Sequence, residues 1–273
     1  MSGASTDRIA ARFARLAGRP AFSTFICGGD PTPDLTAAIL HALVRGGADF
    51  IELGMPFTDP MADGPTIQQG NIRALAAGIS LRRLLAIVRE FRRDDPDTPL
   101  ILMGYLNPIL AYGADFGRDA VAAGLDGAII VDLPPEEADE IDLGGLHAIR
   151  LATPTTDAKR LPAVLDGASG FLYYVAVAGV TGQNSADVAE IDAAVQRLKA
   201  ATDLPIAVGF GVRTPEQARE IALHADAVVV GSAIVQCIGA AHARQSNDIP
   251  AEVERFVSAL ARAVHTARPG GAS

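Results

Sequence analysis

Eight short apolar runs recur along the chain and constrain its fold more than any other feature: Ala21–Cys27, Asp49–Gly54, Leu100–Tyr105, Gly127–Asp132, Ala148–Thr153, Gly170–Val177, Leu204–Phe210 and Asp226–Gly231. Most are continuous rather than alternating, the pattern of parallel strands covered on both faces. Helical patterns lie between them. Asp34 and Ser80 stand where they can cap helices whose leucines, isoleucines and valines fall on one face, and Thr214-Pro215 joins a cap residue to a first-turn proline. Further helices are expected over Arg118–Ala123, Glu136–Leu146, Ala158–Leu165, Ser185–Ala200 and Ala251–His265. Ile9, Phe13 and Leu16, spaced i, i+4 and i+7 after Thr6-Asp7, predict one more helix before the first strand.

Strand followed by helix eight times predicts an α/β TIM (β/α)8 barrel with an extra N-terminal helix, a single domain over residues 1–273. An open doubly wound sheet uses the same alternation, but it usually opens with a glycine fingerprint. Here the first strand runs into Cys27-Gly28-Gly29-Asp30-Pro31, which has no GxGxxG, and no Gly/Ser/Pro-rich spacer divides the chain.

The net charge of -9 disfavours nucleic acid and acidic membrane surfaces as partners. Cys27 and Cys237 form no CxxC, and His41, His147, His224, His242 and His265 show neither metal nor triad spacing, so no metal or cofactor is expected. The first twenty residues lack the apolar stretch of a secretion signal, and no apolar run is long enough to span a membrane, so a cytoplasmic protein is expected.

Chemistry in such barrels sits at the carboxyl ends of the strands. Glu52 stands inside the apolar end of the second strand, where a carboxyl is costly to bury in its charged form and its pKa rises toward neutrality. Such a group both gives and takes a proton near pH 7. Asp59 and Asp63 lie in the proline-rich loop that follows; taken alone, each is more commonly a turn residue than a functional one. At the other side of the barrel, Gly209-Phe210-Gly211 and Gly231-Ser232 end the seventh and eighth strands, with Thr181-Gly182 after the sixth. Loops after strands seven and eight and a short helix N-terminus form a common phosphate site in these barrels. Tyr173 and Tyr174 are neighbours on the sixth strand, so one faces the barrel interior and the other the helix layer.

The stretch IELGMPFTDPMADGPTIQ, Ile51 to Gln68, closely resembles the signature of the tryptophan synthase α subunit family. Similar segments follow in the family's order: GGDP at Gly28, MGYLNP at Met103, DLPPEE at Asp132, ATPTT at Ala152, AGVTG at Ala178, GFGVRTPEQ at Gly209 and GSAIV at Gly231. The resemblance implies retro-aldol cleavage of indole-3-glycerol phosphate to indole and glyceraldehyde 3-phosphate. It makes Glu52 the principal acid-base group and Asp63 the carboxylate that holds the indole N–H. It places Phe25 and Tyr173 against the indole, Thr181 and Phe210 among the substrate contacts, and Gly182, Gly211, Gly231 and Ser232 around the phosphate. It further implies a β subunit that receives the indole in an α2β2 assembly, docked on Pro56, Phe57, Thr58, Asp59, Tyr105, Asn107 and Pro108, and a lid around Val180–Asp187. Ala176 and Ala178 replace the hydroxyl residues that many relatives carry there. A free-standing indole-releasing lyase and a non-catalytic partner-binding homologue are the alternatives.

Overall fold

The computed structural model describes residues 7–176, 188–209 and 211–267. Helix α1 (Arg8–Leu16) precedes β1 (Ala21–Cys27), α2 (Pro33–Arg45), β2 (Phe50–Gly54), α3 (Pro65–Ala76), α4 (Leu81–Asp94), β3 (Leu100–Gly104), α5 (Leu106–Tyr112), α6 (Phe116–Ala123) and β4 (Gly127–Ile130). Then follow β5 (His147–Ala148), β6 (Arg150–Ala152), α7 (Leu161–Leu165), β7 (Leu172–Val175), α8 (Val188–Lys199), β8 (Ile206–Gly209), α9 (Pro215–Ala222), β9 (Ala227–Val230), α10 (Ser232–Ala243) and α11 (Ile249–His265). All described strand pairs are parallel, in the order β5-β4-β3-β2-β1-β9-β8-β7-β6. The sheet therefore begins and ends on consecutive segments of one strand. This is the expected barrel, with its fifth strand broken at Ile149: β5 pairs with β4, and β6 pairs with β7.

Two expectations change. The helix expected over Glu136–Leu146 is a short 3-10 turn, Pro135–Glu140: the backbone departs from helical angles at Glu137, is extended at Ile141, and Gly144-Gly145, both at positive φ, bar any continuation to Leu146. Asp34 is not the cap of α2. The chain enters that helix one residue earlier, Thr32 holding the cap position and Pro33 the first turn, with Asp34 inside the turn, where its charge favours the dipole. By contrast Ser80 does cap α4 through Arg83 N–H, and Thr214 with Gln217 forms a reciprocal capping box on α9.

Strand alternation sorts the side chains into two layers. Phe22, Ile51, Leu102, Tyr174 and Val208 face the helices, whereas Phe50, Ile101, Ile129, Phe171, Tyr173 and Val229 fill the barrel. Helix α1 plugs the amino-terminal end. Its Ile9, Phe13 and Leu16 join the interior layer, and the Phe13 ring lies 4.8 Å from Phe50 and 6.4 Å from Phe171. At that same end three aspartates stitch neighbouring strands. Asp49 accepts from Phe22 N–H at 3.0 Å, Asp126 from Leu100 N–H at 2.8 Å and Asp226 from Ile206 N–H at 2.8 Å. Arg8 and Arg92 hold Asp126 from two sides, at 2.7 and 2.8 Å. The acidic groups at this end serve the fold, which leaves the opposite rim for chemistry.

Candidate active site

The cavity at the carboxyl ends of the strands, about 140 Å³, is lined by Phe25, Glu52, Asp63, Tyr105, Tyr173, Gly211, Gly231 and Ser232, together with Met55, Ile67, Asn71, Met103 and Val131. Residues separated by up to 207 positions in the sequence thus meet in one pocket because the parallel barrel brings all its strand ends to one rim.

Glu52 sits mid-strand on β2 with its side chain turned inward, 0% exposed. Ser23 on the neighbouring β1 donates its hydroxyl to Glu52 Oε1 at 2.8 Å. Oε2 is buried and has no hydrogen-bond partner among the described residues. Burial drives the carboxyl's pKa up from 4.5 to about 7, against the smaller opposing pull of the Ser23 hydroxyl. One oxygen is therefore fixed and the other is bare, on a group that is divided between its acid and base forms near neutrality.

Asp63 lies in the loop between β2 and α3, half-buried. Asn71, one turn and a half into α3, donates to its Oδ2 at 2.9 Å. Burial raises the Asp63 pKa, and the hydroxyl of Tyr105 and the amide of Asn71 pull it back down by bonding to the ionised form. The Tyr105 oxygen also accepts Ala62 N–H at 3.1 Å, pinning the loop that carries Asp63. Burial and the neighbouring Asp63 push the Tyr105 phenol up to about 12, so it stays a donor. Tyr105 was expected on a docking face; the structure instead buries it in this pocket, with Phe57 against its ring at 5.4 Å.

Tyr173 is buried in the barrel interior and Tyr174 in the helix layer. Burial and the nearby Glu52 raise the Tyr173 phenol well above its ordinary value, which keeps its proton on. Space for these rings depends on glycine. A Cβ on Gly209 would stand 2.2 Å from the Tyr173 hydroxyl, and one on Gly54 would stand 2.6 Å from the Phe25 ring. Across the pocket, Gly231 occupies the cap position of α10 without a side-chain cap, and it lines the cavity together with Ser232 and Gly211, so the amino-terminal end of a 12-residue helix borders the pocket. That end of a helix favours an anion. Thr181, Gly182 and Phe210, and the lid around Val180–Asp187, lie outside the described residues.

The docking residues fall into two groups. Phe57, Thr58 and Asp59, with Met61 and Ile72, line a shallow groove of about 550 Å³ next to the pocket, where Met61 is 84% and Ile72 56% exposed. Asn107 is exposed and Pro108 half-buried on α5, and Pro56 is half-buried at the head of the same loop.

Sequence reasoning missed Ser23, Asn71 and the pair beneath them. Arg73 of α3 clasps Asp30 in a two-pronged ion pair at 2.7 and 2.9 Å, with Asp30 fully buried within the GGDP turn. The one available signal was the polar Ser23 inside an apolar run, two residues from Phe25 and so on the same face. No trio of His, Cys, Asp or Glu gathers for a metal ion among the described residues, and none of their helices is long and apolar enough to cross a membrane.

Residues 13–265 match a family model described as tryptophan synthase alpha chain. The chain is 56% identical over 266 residues to the tryptophan synthase alpha chain of Novosphingobium aromaticivorans, covering 96% of this chain and 98% of that one. It is 57% identical over 263 residues to that of Rhizorhabdus wittichii, covering 94% and 97%. Among solved structures, the tryptophan synthase alpha chain of Legionella pneumophila superposes with a TM-score of 0.85 at 42% identity, over 94% of this chain and 97% of that one.

Proposed function

The chain belongs to the tryptophan synthase alpha chain family, and on that premise we propose how its site carries out the family's lyase reaction, cleavage of indole-3-glycerol phosphate into indole and glyceraldehyde 3-phosphate. The observation that carries the assignment is Glu52: buried, one oxygen anchored by Ser23, the other bare, and half-protonated near pH 7.

The reaction adds one proton and removes one. Protonation at the indole carbon that bears the glycerol chain leaves a positive charge on the ring nitrogen. Asp63, hydrogen-bonded by Tyr105 and Asn71, faces that charge and accepts the ring N–H hydrogen bond. Loss of the proton on the adjacent glycerol hydroxyl then turns C–O into C=O, and the electron pair of the breaking carbon–carbon bond returns to the ring. Glu52 gives the proton to carbon and recovers one from the hydroxyl, so it ends as it began. Tyr173 and Phe25 flank the ring, and Gly211, Gly231, Ser232 and the start of α10 receive the phosphate. Thr181, Gly182 and Phe210 are assigned to the same substrate on the family resemblance.

A β subunit is the family's partner. The exposed apolar groove beside the pocket, with Met61 and Ile72 near Phe57, Thr58 and Asp59, supports docking there, joined by Pro56, Asn107 and Pro108. Tyr105 closes the pocket beneath that face. We assign an α2β2 assembly, one barrel domain spanning residues 1–273, and a cytoplasmic setting.

The deciding experiment measures indole release from indole-3-glycerol phosphate by the wild type and Glu52→Gln, each with and without a β subunit. Turnover should vanish in the variant while its circular dichroism is retained, and the wild type should be weak alone and strongly activated by its partner. Undiminished turnover by the variant overturns the mechanism, and a wild type indifferent to the β subunit makes the chain a free-standing lyase.

A further inference from the structure

Beside the active site, and separate from its phosphate end, lies a second cavity of about 420 Å³ among the ends of β4, β6 and α7. Between β4 and β5 the connection forms only the 3-10 turn Pro135–Glu140 rather than a full helix, and the cavity lies between that turn, the strands and α7. Arg150 of β6 lines it, between the inward-facing Ile149 and Leu151, and so points to the outer layer. Its Nε is buried without a hydrogen-bond partner, and its guanidinium makes no hydrogen bond or ion pair to any described residue. This is the more telling in a chain where 32 acidic residues outnumber 23 basic ones.

The acids nearby are engaged elsewhere. Glu136 is held by Arg160, and Asp132 accepts Leu106 N–H at 2.8 Å. Hydroxyl donors are close at hand: Thr153, Thr155 and Thr156 line the same cavity and form a cluster, with Thr153 Oγ1 2.8 Å from Thr155 Oγ1. The half-buried Arg150 guanidinium is a fork of fixed donors whose natural complement is a carboxylate or a tetrahedral oxyanion, and although Asp132 also lines the cavity, no carboxylate of the described residues bonds to it.

We infer that this cavity is a second anion site, in which Arg150 and the threonine hydroxyls hold a tetrahedral oxyanion, either the free ion or the phosphoryl end of a monoester. Val131 lines both cavities, so the occupant sits one side chain from the reaction site. The inference is independent of the catalytic assignment.

The test titrates the full chain with inorganic phosphate, and separately with glycerol 3-phosphate, by calorimetry and by thermal melting, in the wild type, Arg150→Met and Arg150→Lys. The wild type should bind one equivalent of inorganic phosphate more than Arg150→Met, whatever the pocket at α10 contributes to both. At phosphate about ten times the dissociation constant of the Arg150 site, the wild-type melting temperature should rise about 2–3 °C more than that of Arg150→Met. Arg150→Lys, which keeps the charge and loses the fork, should fall between them. In the wild type alone, the Arg150 Nε–H resonance should shift on titration, a readout that needs no variant. One equivalent of glycerol 3-phosphate more in the wild type than in Arg150→Met would extend the site to monoesters; no difference would restrict it to the free ion. Equal stoichiometry and equal melting shifts in wild type and Arg150→Met, or an unmoved Arg150 resonance, overturn the proposal.

Discussion

Replacing Glu52 by Gln should remove activity and, at alkaline pH, make the protein more stable. Burial raises the carboxyl's pKa from 4.5 to about 7 in the fold, so the folded state holds this proton over a range where the unfolded chain has already released it. A group shifted upward in this way weakens the fold as pH climbs from about 4.5 to about 7, and the loss is complete above that. At about 1.4 kcal/mol for each pH unit of that interval, the fold forfeits about 3 kcal/mol by carrying an ionised Glu52. Gln keeps an oxygen to accept from Ser23, which donates at 2.8 Å in the wild type, but sets an amide where Oε2 now lies bare, at a cost of about 1–3 kcal/mol. That cost does not depend on pH, and neither do the other titrations that the two proteins share, so both cancel when their difference is followed. Urea melts of wild type and Glu52→Gln from pH 4.5 to 8.5 should show the variant gaining about 3 kcal/mol on the wild type between pH 4.5 and 7, then a plateau. A difference that stays flat with pH, or that opens only below pH 5, would refute the claim that Glu52 is held half-protonated by burial.

Ser23→Ala should carry the acid limb of the kcat/KM profile one to two pH units to the alkaline side, since it removes the hydrogen bond that opposes burial at Glu52, worth about 1.5–3 kcal/mol to a charged acceptor; an unmoved limb would show that Glu52 does not set it. Asn71→Ala should lower kcat/KM about tenfold to a hundredfold, by freeing Asp63 and raising its pKa, while leaving phosphate affinity unchanged in calorimetry. Arg73→Met strands the buried Asp30 and should cost about 3 kcal/mol in urea melts at pH 7, with most of that recovered by adding Asp30→Asn. Gly209→Ala should destabilise by about 1–3 kcal/mol, because its methyl meets the Tyr173 hydroxyl and backbone strands cannot step aside.

The barrel was legible because its signal is redundant. The alternation rests on eight apolar runs and nine expected helices together, so a single faulty boundary, such as Asp34 against Thr32, leaves the topology intact. The expected helix over Glu136–Leu146 failed for the opposite reason. It rested on spacing alone in a segment bracketed by Pro134-Pro135 and Gly144-Gly145, and local backbone preference decided the outcome. With only the 3-10 turn and α7 beside β5 and β6, a cavity remains in which Arg150 stands without a partner, so the place where pattern reasoning broke down is where the fold has room for a ligand.

The site divides along a similar line. Glu52 was visible because a carboxyl in an apolar strand end is an energetic anomaly that local sequence cannot hide. Ser23 and Asn71 were not, since a serine in a strand and an asparagine in a helix are ordinary, and their meaning lies wholly in register: Phe25 pairs with Glu52, which sets the neighbouring Ser23 within reach of Oε1. Asn71 reaches Asp63 only because α3 starts at Pro65 and turns twice on leaving the loop. The residues that do the proton chemistry can thus be found by what they cost, and those that tune it only by where the strands place them. A substitution at Ser23 or Asn71 should accordingly move pH profiles and leave the fold standing, whereas one at Asp30 or Arg73 should move the fold first.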